Sequence, residues 1–556
     1  MAENFKPRTA EELREAVAWA VAEEQPLEIR GHGSKAALGR PTQAGHMVDL
    51  GDLSGVTLYE PDELVLTARA GTPLAEIETL LAEHNQELAF EPMDYGLLLG
   101  ERAGRGTLGG LYATNLAGPR RIKAGAARDH VLGVQAVSGR GEVFKSGGRV
   151  VKNVTGYDLS KAIAGSWGTL AVASEVTFKV LPKAETQATI ALTGLDDARA
   201  VDALAAGMGS SAEVSAAAHV PADTAGRFGV DMPGGGHAVT LLRLEGIRPS
   251  VDYRAEALSA LLAPFGSVER VDAAPSAVIW RAIRDVTAFA GSSDPVWKLS
   301  VTPSEAPAVL GRIRSSVDCH AYYDWAGGLI WLMVPDGGEA HADVVRGAVG
   351  AHGHATLIRA PAAVRAAVAV FQPQEAALAL LGKRLKQQFD PQGILNPGRM
   401  VAGCEDCGTD SGVMSQRAEA HLEPRVSFYS RESFEMSMQS EGGANSYLEP
   451  GGNNVTLVYI LYLAAFVVGL TALIGLVFAY LNRGKGPAWT QSHYTYQIRT
   501  FWIGLLYSLI CVALAVIGIG FILMIAVAVW MIIRCIKGLQ AASRREAIAD
   551  PQTWLI

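Results

Sequence analysis

Residues 26–39 read PLEIRGHGSKAALG, a short strand-like stretch that runs straight into a glycine-rich loop at Gly31. A bound pyrophosphate needs backbone N–H groups that point inward and no Cβ atoms in the way, and Gly-His-Gly-Ser-Lys directly after a strand meets that need. Alone the loop is weak evidence, because glycine-rich turns are common. Two further segments give it weight. Residues 107–118, TLGGLYATNLAG, set small residues, hydroxyls and an amide along one wall. Residues 148–171, GRVVKNVTGYDLSKAIAGSWGTLA, place Gly148, Gly156, Gly165 and Gly168 among hydrogen-bonding side chains. Three such segments, spread over about 140 residues, suit an extended polar ligand, a dinucleotide better than a mononucleotide. No G-x-G-x-x-G opens a first strand–helix turn, so the doubly wound nucleotide fold is not indicated. Hairpin punctuation is the other reading of the same glycines.

Outward from these loops the pattern is mixed. Thr9 followed by Glu12 predicts a capping box and a helix to about Glu24. HMVDL and ELVLTARAG predict strands, Leu74–His84 a helix, and VLGVQAVSGRGEVFKSGG two strands about a turn. From about Glu185 to Arg359, four strand–helix units with apolar helix faces predict an α+β domain on a mostly antiparallel sheet. The helix AALALLGKRLKQQF ends at DPQGILNPGRM, where Pro391 and Pro397 forbid continuation. The predicted domains are 1–184 around the glycine-rich loops, 185–402 as a cap, 403–452 as a polar flexible linker, 453–540 as membrane helices and 541–556 as a polar tail.

The 556 residues carry a net charge of −8 with 49% hydrophobic residues, and the hydrophobic excess is concentrated after Val455. That acidity argues against nucleic-acid binding. Five cysteines suit a reducing compartment better than a disulfide framework. The N-terminal MAENFKPRTAEELREAVAWA lacks a basic-then-apolar signal, so the first domain is expected in the cytoplasm.

RGHGSK, TLGGLYATNLAG, RDHVLGVQAVSGRGEVFKSGG, VVKNVTGYDLSKAIAGSWGTL and FDPQGILNPGRM together resemble the FAD-binding family of vanillyl-alcohol oxidase and p-cresol methylhydroxylase. Within it they are similar to the smaller FAD-binding subunits of bacterial glycolate oxidases, over roughly residues 5–402. The resemblance implies an FAD-dependent oxidoreductase with a two-subdomain PCMH-type FAD-binding domain and an α+β cap. It implies that Arg30, Gly31, His32, Gly33 and Ser34 form the pyrophosphate loop, and that Gly109, Gly110, Thr114, Asn115 and Gly118 line the isoalloxazine and ribityl chain. Lys152, Asn153, Gly156, Tyr157 and Asp158 would shape the pocket, Gly168 and Thr169 would lie near the adenine, and Asn396 near the flavin ring. Some relatives attach FAD covalently through a histidine at the place held here by Ser34, so non-covalent FAD is expected. The implied partners are a larger FAD-binding subunit, an iron–sulfur subunit and a small 2-hydroxy acid, with electrons passing toward the respiratory chain.

One departure matters. Catalytic relatives carry a His-rich G-D-G-N segment in the cap; the counterpart here, Asp324-Trp325-Ala326-Gly327-Gly328-Leu329, has no histidine. No catalytic base is evident, which fits a subunit that holds FAD without completing a site; a self-sufficient 2-hydroxy-acid dehydrogenase is the alternative. His352 and His354 read as a polar turn rather than a metal pair, and no metal is expected. Lys298, beside Trp297 on a predicted strand, and Arg359 are candidate carboxylate anchors, with solvated surface charge the commoner reading. Cys404 and Cys407 read as linker.

The tail resembles a family of small uncharacterised bacterial inner-membrane proteins. Val455–Leu481 is a charge-free run long enough for one span, and Phe501–Ile533 is either one tilted helix or a hairpin about Gly518 and Gly520. Arg483, Lys485 and Arg499 in the intervening loop place that loop in the cytoplasm and the preceding chain outside. A cytoplasmic first domain wants the opposite orientation. Either the fusion tolerates the mismatch, or two separate proteins are joined near Met436 or Met438. The tail would then be a membrane anchor or an interaction module.

Overall fold

The computed structural model describes residues 3–149, 157–402, 452–465, 471–484, 488–515, 519–543, 546–548 and 550–554. The chain forms two compact units, residues 1–414 and 415–556.

The first unit opens with the strand β1 (Asn4–Phe5) and a helix over Ala10–Ala22. Thr9 caps that helix, its hydroxyl accepting from Glu12 N at 3.1 Å. The Glu12 carboxylate reaches back to Arg8 N rather than to Thr9, so the box closes one residue early. Leu13, Ala16, Val17 and Ala20 form the buried stripe, which packs with Leu27, Val48, Val137 and Val172. Strands β2 (Leu27–Arg30) and β3 (His46–Asp49) complete a parallel three-stranded sheet in the order β1-β3-β2. An antiparallel five-stranded sheet follows. It is made of β4 (Val56–Glu60), β5 (Val65–Arg69), β7 (Val131–Ser138), β8 (Val143–Gly147) and β9 (Ala171–Lys179), in the order β4-β5-β9-β7-β8. The short β6 (Gln86–Glu87) pairs with β10 (Leu181–Pro182).

The cap is one eight-stranded antiparallel sheet. Its strands are β11 (Thr186–Thr193), β12 (Ala216–Val220), β13 (Val239–Gly246), β14 (Val268–Val271), β15 (Val296–Ser300), β16 (His320–Asp324), β17 (Leu329–Met333) and β18 (His354–Arg359). The order is β14-β11-β13-β12-β16-β17-β15-β18. Alternation divides its side chains. Leu242, Leu244, Trp297, Leu299 and Tyr323 pack outward against the helices over Asp197–Met208, Arg248–Leu262, Ala306–Arg314 and Ala342–Val349. Leu241, Val296, Tyr322, Trp331 and Ile358 face the other way, into the core that also holds Phe90, Tyr112 and Phe178 of the first domain. Both faces of the sheet are therefore covered.

The chain then returns. After the helix Ala376–Phe389, the buried Asp390 accepts from Ile394 N at 3.1 Å and Leu395 N at 2.8 Å. Leu27 N donates to Ile394 O at 2.8 Å and Asn396 N to Leu27 O at 2.9 Å, so residues 394–396 join β2 as an extra edge. The end of the expected cap is thus part of the first domain's sheet.

In the second unit the expected single span Val455–Leu481 is two shorter helices, Gly452–Ala464 and Thr471–Asn482. They pack on each other: Thr471 Oγ1 donates to Leu461 O at 2.9 Å, and a Cβ on Gly475 would stand 2.9 Å from the Tyr462 ring. At about 1.5 Å per residue neither crosses a hydrocarbon layer of about 30 Å. In place of the second run are two helices, Ala488–Ala515 and Gly520–Ser543, both longer than the short spans expected within Phe501–Ile533, the first taking in most of the expected polar loop. Within these helices Trp489–Leu514 and Leu523–Ala542 are long and apolar enough to cross a membrane. Leu509, Val512, Ile525 and Val529 are exposed on their outer faces. Arg534, the residue after the apolar run Phe501–Ile533, is fully buried within the helix Gly520–Ser543, its Nε donating to Thr500 Oγ1 at 2.9 Å. The expected linker lies almost wholly outside the described residues, Cys404 and Cys407 with it.

Candidate cofactor site

β2 ends at Arg30 and releases the loop that begins at Gly31. A Cβ on Gly31 would stand 2.6 Å from Thr107 Oγ1, the hydroxyl that caps the helix Leu108–Thr114. Gly33 has φ +73° and open space around it. Among the described residues, none accepts a hydrogen bond from the backbone N–H of His32, Gly33, Ser34 or Lys35. Four consecutive unspent amides make an anion-binding concavity. The Lys35 ammonium lies beside it, with Ser34 Oγ at 3.4 Å as its one hydrogen-bonding neighbour among the described residues. Burial lowers Lys35 to about 8, against a weaker opposing pull from Asp94. That is the state of a cation stripped of water with no anion beside it.

The recess continues over the helix Leu108–Thr114. Gly109 N donates to Ala70 O at 2.7 Å, an approach that a Cβ, 2.8 Å from that of Ala70, would block. Trp167 holds φ +57° and donates its N–H to Ala113 O at 2.9 Å. Asn396, at φ +44°, joins two walls: Oδ1 accepts from Ile29 N at 2.8 Å and Nδ2 donates to Trp167 O at 2.9 Å. Arg399 braces the loop from behind through Lys35 O at 3.0 Å and Ala36 O at 3.2 Å. The result is two adjoining recesses that share Ile29, Arg30, Gly31, Gly110, Ala113, Trp167 and Asn396. The buried Ser166 hydroxyl lines the second and has no partner among the described residues.

Of the residues expected from sequence, Arg30, Gly31, His32, Gly33, Ser34, Gly109, Gly110, Thr114, Gly168 and Asn396 line this crevice. Five others do not. Asn115 ends the helix at φ +50° and accepts from Arg128 N. Gly118 is bound through its N–H to Phe90 O and through its carbonyl to Trp325 Nε1. Thr169 Oγ1 donates to Ser166 O. Tyr157 is 81% exposed, and Asp158 caps the helix Leu159–Ile163. Lys152, Asn153 and Gly156 lie outside the described residues. Lys35, Ser166, Trp167 and Arg399 line or brace the crevice without being among the expected contacts. For Lys35 the available signal is its place in the first loop; for Trp167, its place between Gly165 and Gly168.

A second polar cluster lies on the inner face of the cap sheet. Arg243 is bidentate to Glu91 at 2.9 and 2.7 Å, and Arg120 binds Glu87 at 2.7 Å and Glu245 at 3.0 Å. Burial raises Asp324 to about 7, and burial together with Arg121 lowers Lys298 to about 8. Arg359 is spent on the carbonyls of Asp294, Leu98 and Phe289, so it is not a free carboxylate anchor. Among the described residues no group of His, Cys, Asp and Glu is placed to hold a metal ion.

Residues 4–147 match the family described as FAD binding domain. Glycolate oxidase subunit GlcE of Escherichia coli K12 is 36% identical over 392 residues, 70% of this chain and 97% of that one. D-lactate dehydrogenase of Archaeoglobus fulgidus is 31% identical over 195 residues, 34% of this chain and 42% of that one. Among solved structures, p-cresol methylhydroxylase with substrate bound is similar at TM-score 0.56 and 15% identity, over 72% of this chain and 89% of that one.

Proposed function

The chain belongs to the family of glycolate oxidase subunit GlcE, and from that premise we propose that it is the FAD-holding subunit of a glycolate-oxidase-like complex. It is an FAD-dependent oxidoreductase with a PCMH-type fold. In the proposed role it oxidises a small 2-hydroxy acid together with a larger flavin subunit and an iron–sulfur subunit. In that role its apolar C-terminal helices anchor the complex at the bacterial inner membrane, with the flavoprotein domain in the cytoplasm.

The observation that carries this reading is the run of unspent amides at His32–Lys35 beside the desolvated Lys35 ammonium. These groups fit a pyrophosphate: four N–H groups with no acceptor among the described residues and one positive charge belong to residues that line a groove whose walls at Gly31, Gly109 and Gly110 have no room for a Cβ without displacement. Arg399 keeps the loop in this shape and Asn396 holds the two walls together. Bound FAD supplies a two-electron acceptor for the substrate's C–H bond. The chain's own work is to bind the dinucleotide, fix its ring between the Trp167 loop and the helix Leu108–Thr114, and cover it with the cap. Ser34 stands where covalent relatives have histidine, so the cofactor is held by these contacts alone. The test is flavin content before and after denaturation: FAD recovered in the supernatant supports the reading, and FAD that stays on the chain contradicts non-covalent attachment.

A further inference from the structure

The helix Ala376–Phe389 buries none of its side chains. Its attachments are gathered at the C-terminal end. Lys386 Nζ donates to Thr169 O at 2.6 Å, Arg140 Nε donates to Gln388 O at 3.0 Å, and the Phe389 ring lies 5.9 Å from that of Phe144. From Ala376 to Leu385 every residue is exposed. Leu378, Leu381 and Leu385, at 57, 63 and 39% exposed, recur at i, i+3 and i+7 and form one stripe, while Leu380 lies off it. An isolated helix this short is marginal in water, and the apolar stripe that could hold it in place is uncovered.

The charges of this helix are of one sign. Lys383, Arg384 and Lys386 are basic, and no Asp or Glu occurs between Ala376 and Phe389. Helical geometry sets Arg384 at the border of the leucine stripe and Lys383 behind it. Both are exposed, and their stems are long enough to carry the cations to a headgroup layer. Leucines along one side with exposed cations around the rest make the pattern of a helix that lies in a membrane interface. The chain also carries its own route to a membrane, since Trp489–Leu514 and Leu523–Ala542 are long and apolar enough to cross one. A bilayer that holds them is tethered to the first unit by the connecting chain, so a weak surface contact becomes an intramolecular one.

We propose that the helix Ala376–Phe389 is a second membrane contact. It lays Leu378, Leu381 and Leu385 into the acyl boundary of a bilayer that contains anionic phospholipid, with Lys383 and Arg384 at the phosphates. The inference rests on the membrane reading of the C-terminal helices and adds a contact made by the flavoprotein unit itself. It brings the segment Asp390–Asn396, and with it one wall of the cofactor crevice, close to the lipid surface.

Hydrogen–deuterium exchange of the FAD-loaded, full-length protein in nanodiscs checks this, with discs of phosphatidylcholine alone and discs that also contain phosphatidylglycerol. In the anionic discs the amides of residues 378–386 should exchange about tenfold or more slowly than in the neutral ones. Leu381→Glu with Leu385→Glu should abolish that difference while the protein keeps its FAD. Equal exchange of the wild type in the two kinds of disc, or a difference that survives intact in this double variant, overturns the proposal and leaves the C-terminal anchor standing. Protection that follows the number of copies per disc rather than the lipid assigns the stripe to a second copy of the chain, and also overturns it. Should the double variant lose its FAD, Lys383→Glu with Arg384→Glu carries the test, and an undiminished difference there counts against the contact. A wild-type chain that does not enter discs at all would instead remove the membrane reading on which the inference rests.

Discussion

Asn396 Oδ1 accepts the backbone N–H of Ile29 at 2.8 Å across 367 residues of chain. The same amide donates through Nδ2 to Trp167 O, so one side chain fixes the strand that launches the first loop and the turn that faces it. Asn396→Ala leaves a donor and an acceptor unsatisfied in the wall of the crevice, a cost of about 1–3 kcal/mol. Its thermal midpoint should fall, and its FAD should be lost on gel filtration under conditions where wild type keeps it. Full flavin retention by the variant would show that the staple is dispensable.

Lys35 gives a pH dependence with a definite sign. Its ammonium titrates near 8 without an anion beside it, and a bound pyrophosphate favours the charged form. FAD affinity should therefore hold steady below pH 8 and decline above it, by at most tenfold per unit for one proton. Lys35→Met should bind more weakly and show no such decline. In the apo protein the sign reverses. The folded state holds fewer protons than the unfolded chain between about 8 and the ordinary 10.5, so this group's contribution to stability rises with pH across that window. Flavin fluorescence titrations at several pH values check the first part, and urea midpoints the second.

The paired carboxylates on the cap's inner face predict acid lability. Burial pushes Glu245 up, but Arg243 and Arg120 outweigh it and hold the acid near 2. Stability from this pair is present above the ordinary value of 4.5 and is lost as pH falls from there toward 2. Arg243→Met removes a 2% exposed partner and strands Glu91, for a loss of about 3–5 kcal/mol. Tryptophan fluorescence should report it, because the Arg243 guanidinium covers the Trp280 ring at 4.9 Å. A variant as stable as wild type would mean that the network is not what fastens the cap.

A substitution in the opposite direction tests the helix assignments. Gly311 is exposed inside the helix Ala306–Arg314, and no atom lies within 4 Å of the place a methyl group would take there. Gly311→Ala should raise stability by about 0.5–1 kcal/mol without altering flavin binding, readable as a higher thermal midpoint. A lower midpoint would argue against a helix there.

The first loop, the small-residue wall after Thr107 and the Asn396 motif are legible in the sequence, because glycine and amide requirements are local and leave a local trace; that the wall is the helix Leu108–Thr114 is not, since its two glycines lower helix propensity. Trp167 escapes because its contribution is a backbone carbonyl at positive φ, which its side-chain type conceals. Lys298 reads as surface for an equally physical reason. In V-W-K-L-S, Trp297 points to the outer helices, and a polar alternate position on a one-sided sheet reads as solvent-facing. Only the fold shows that the first domain covers that face. The run Val455–Leu481 misleads through composition: an apolar stretch of that length satisfies the spanning rule whether it is one helix or two.

The most direct measurement is the visible absorption spectrum of the purified full-length protein, recorded before and after addition of FAD and gel filtration. The account predicts a yellow protein with the two-banded flavin spectrum in about one equivalent per chain, diminished in Lys35→Met and Asn396→Ala. A folded wild-type protein that is colourless and emerges colourless after incubation with FAD contradicts it.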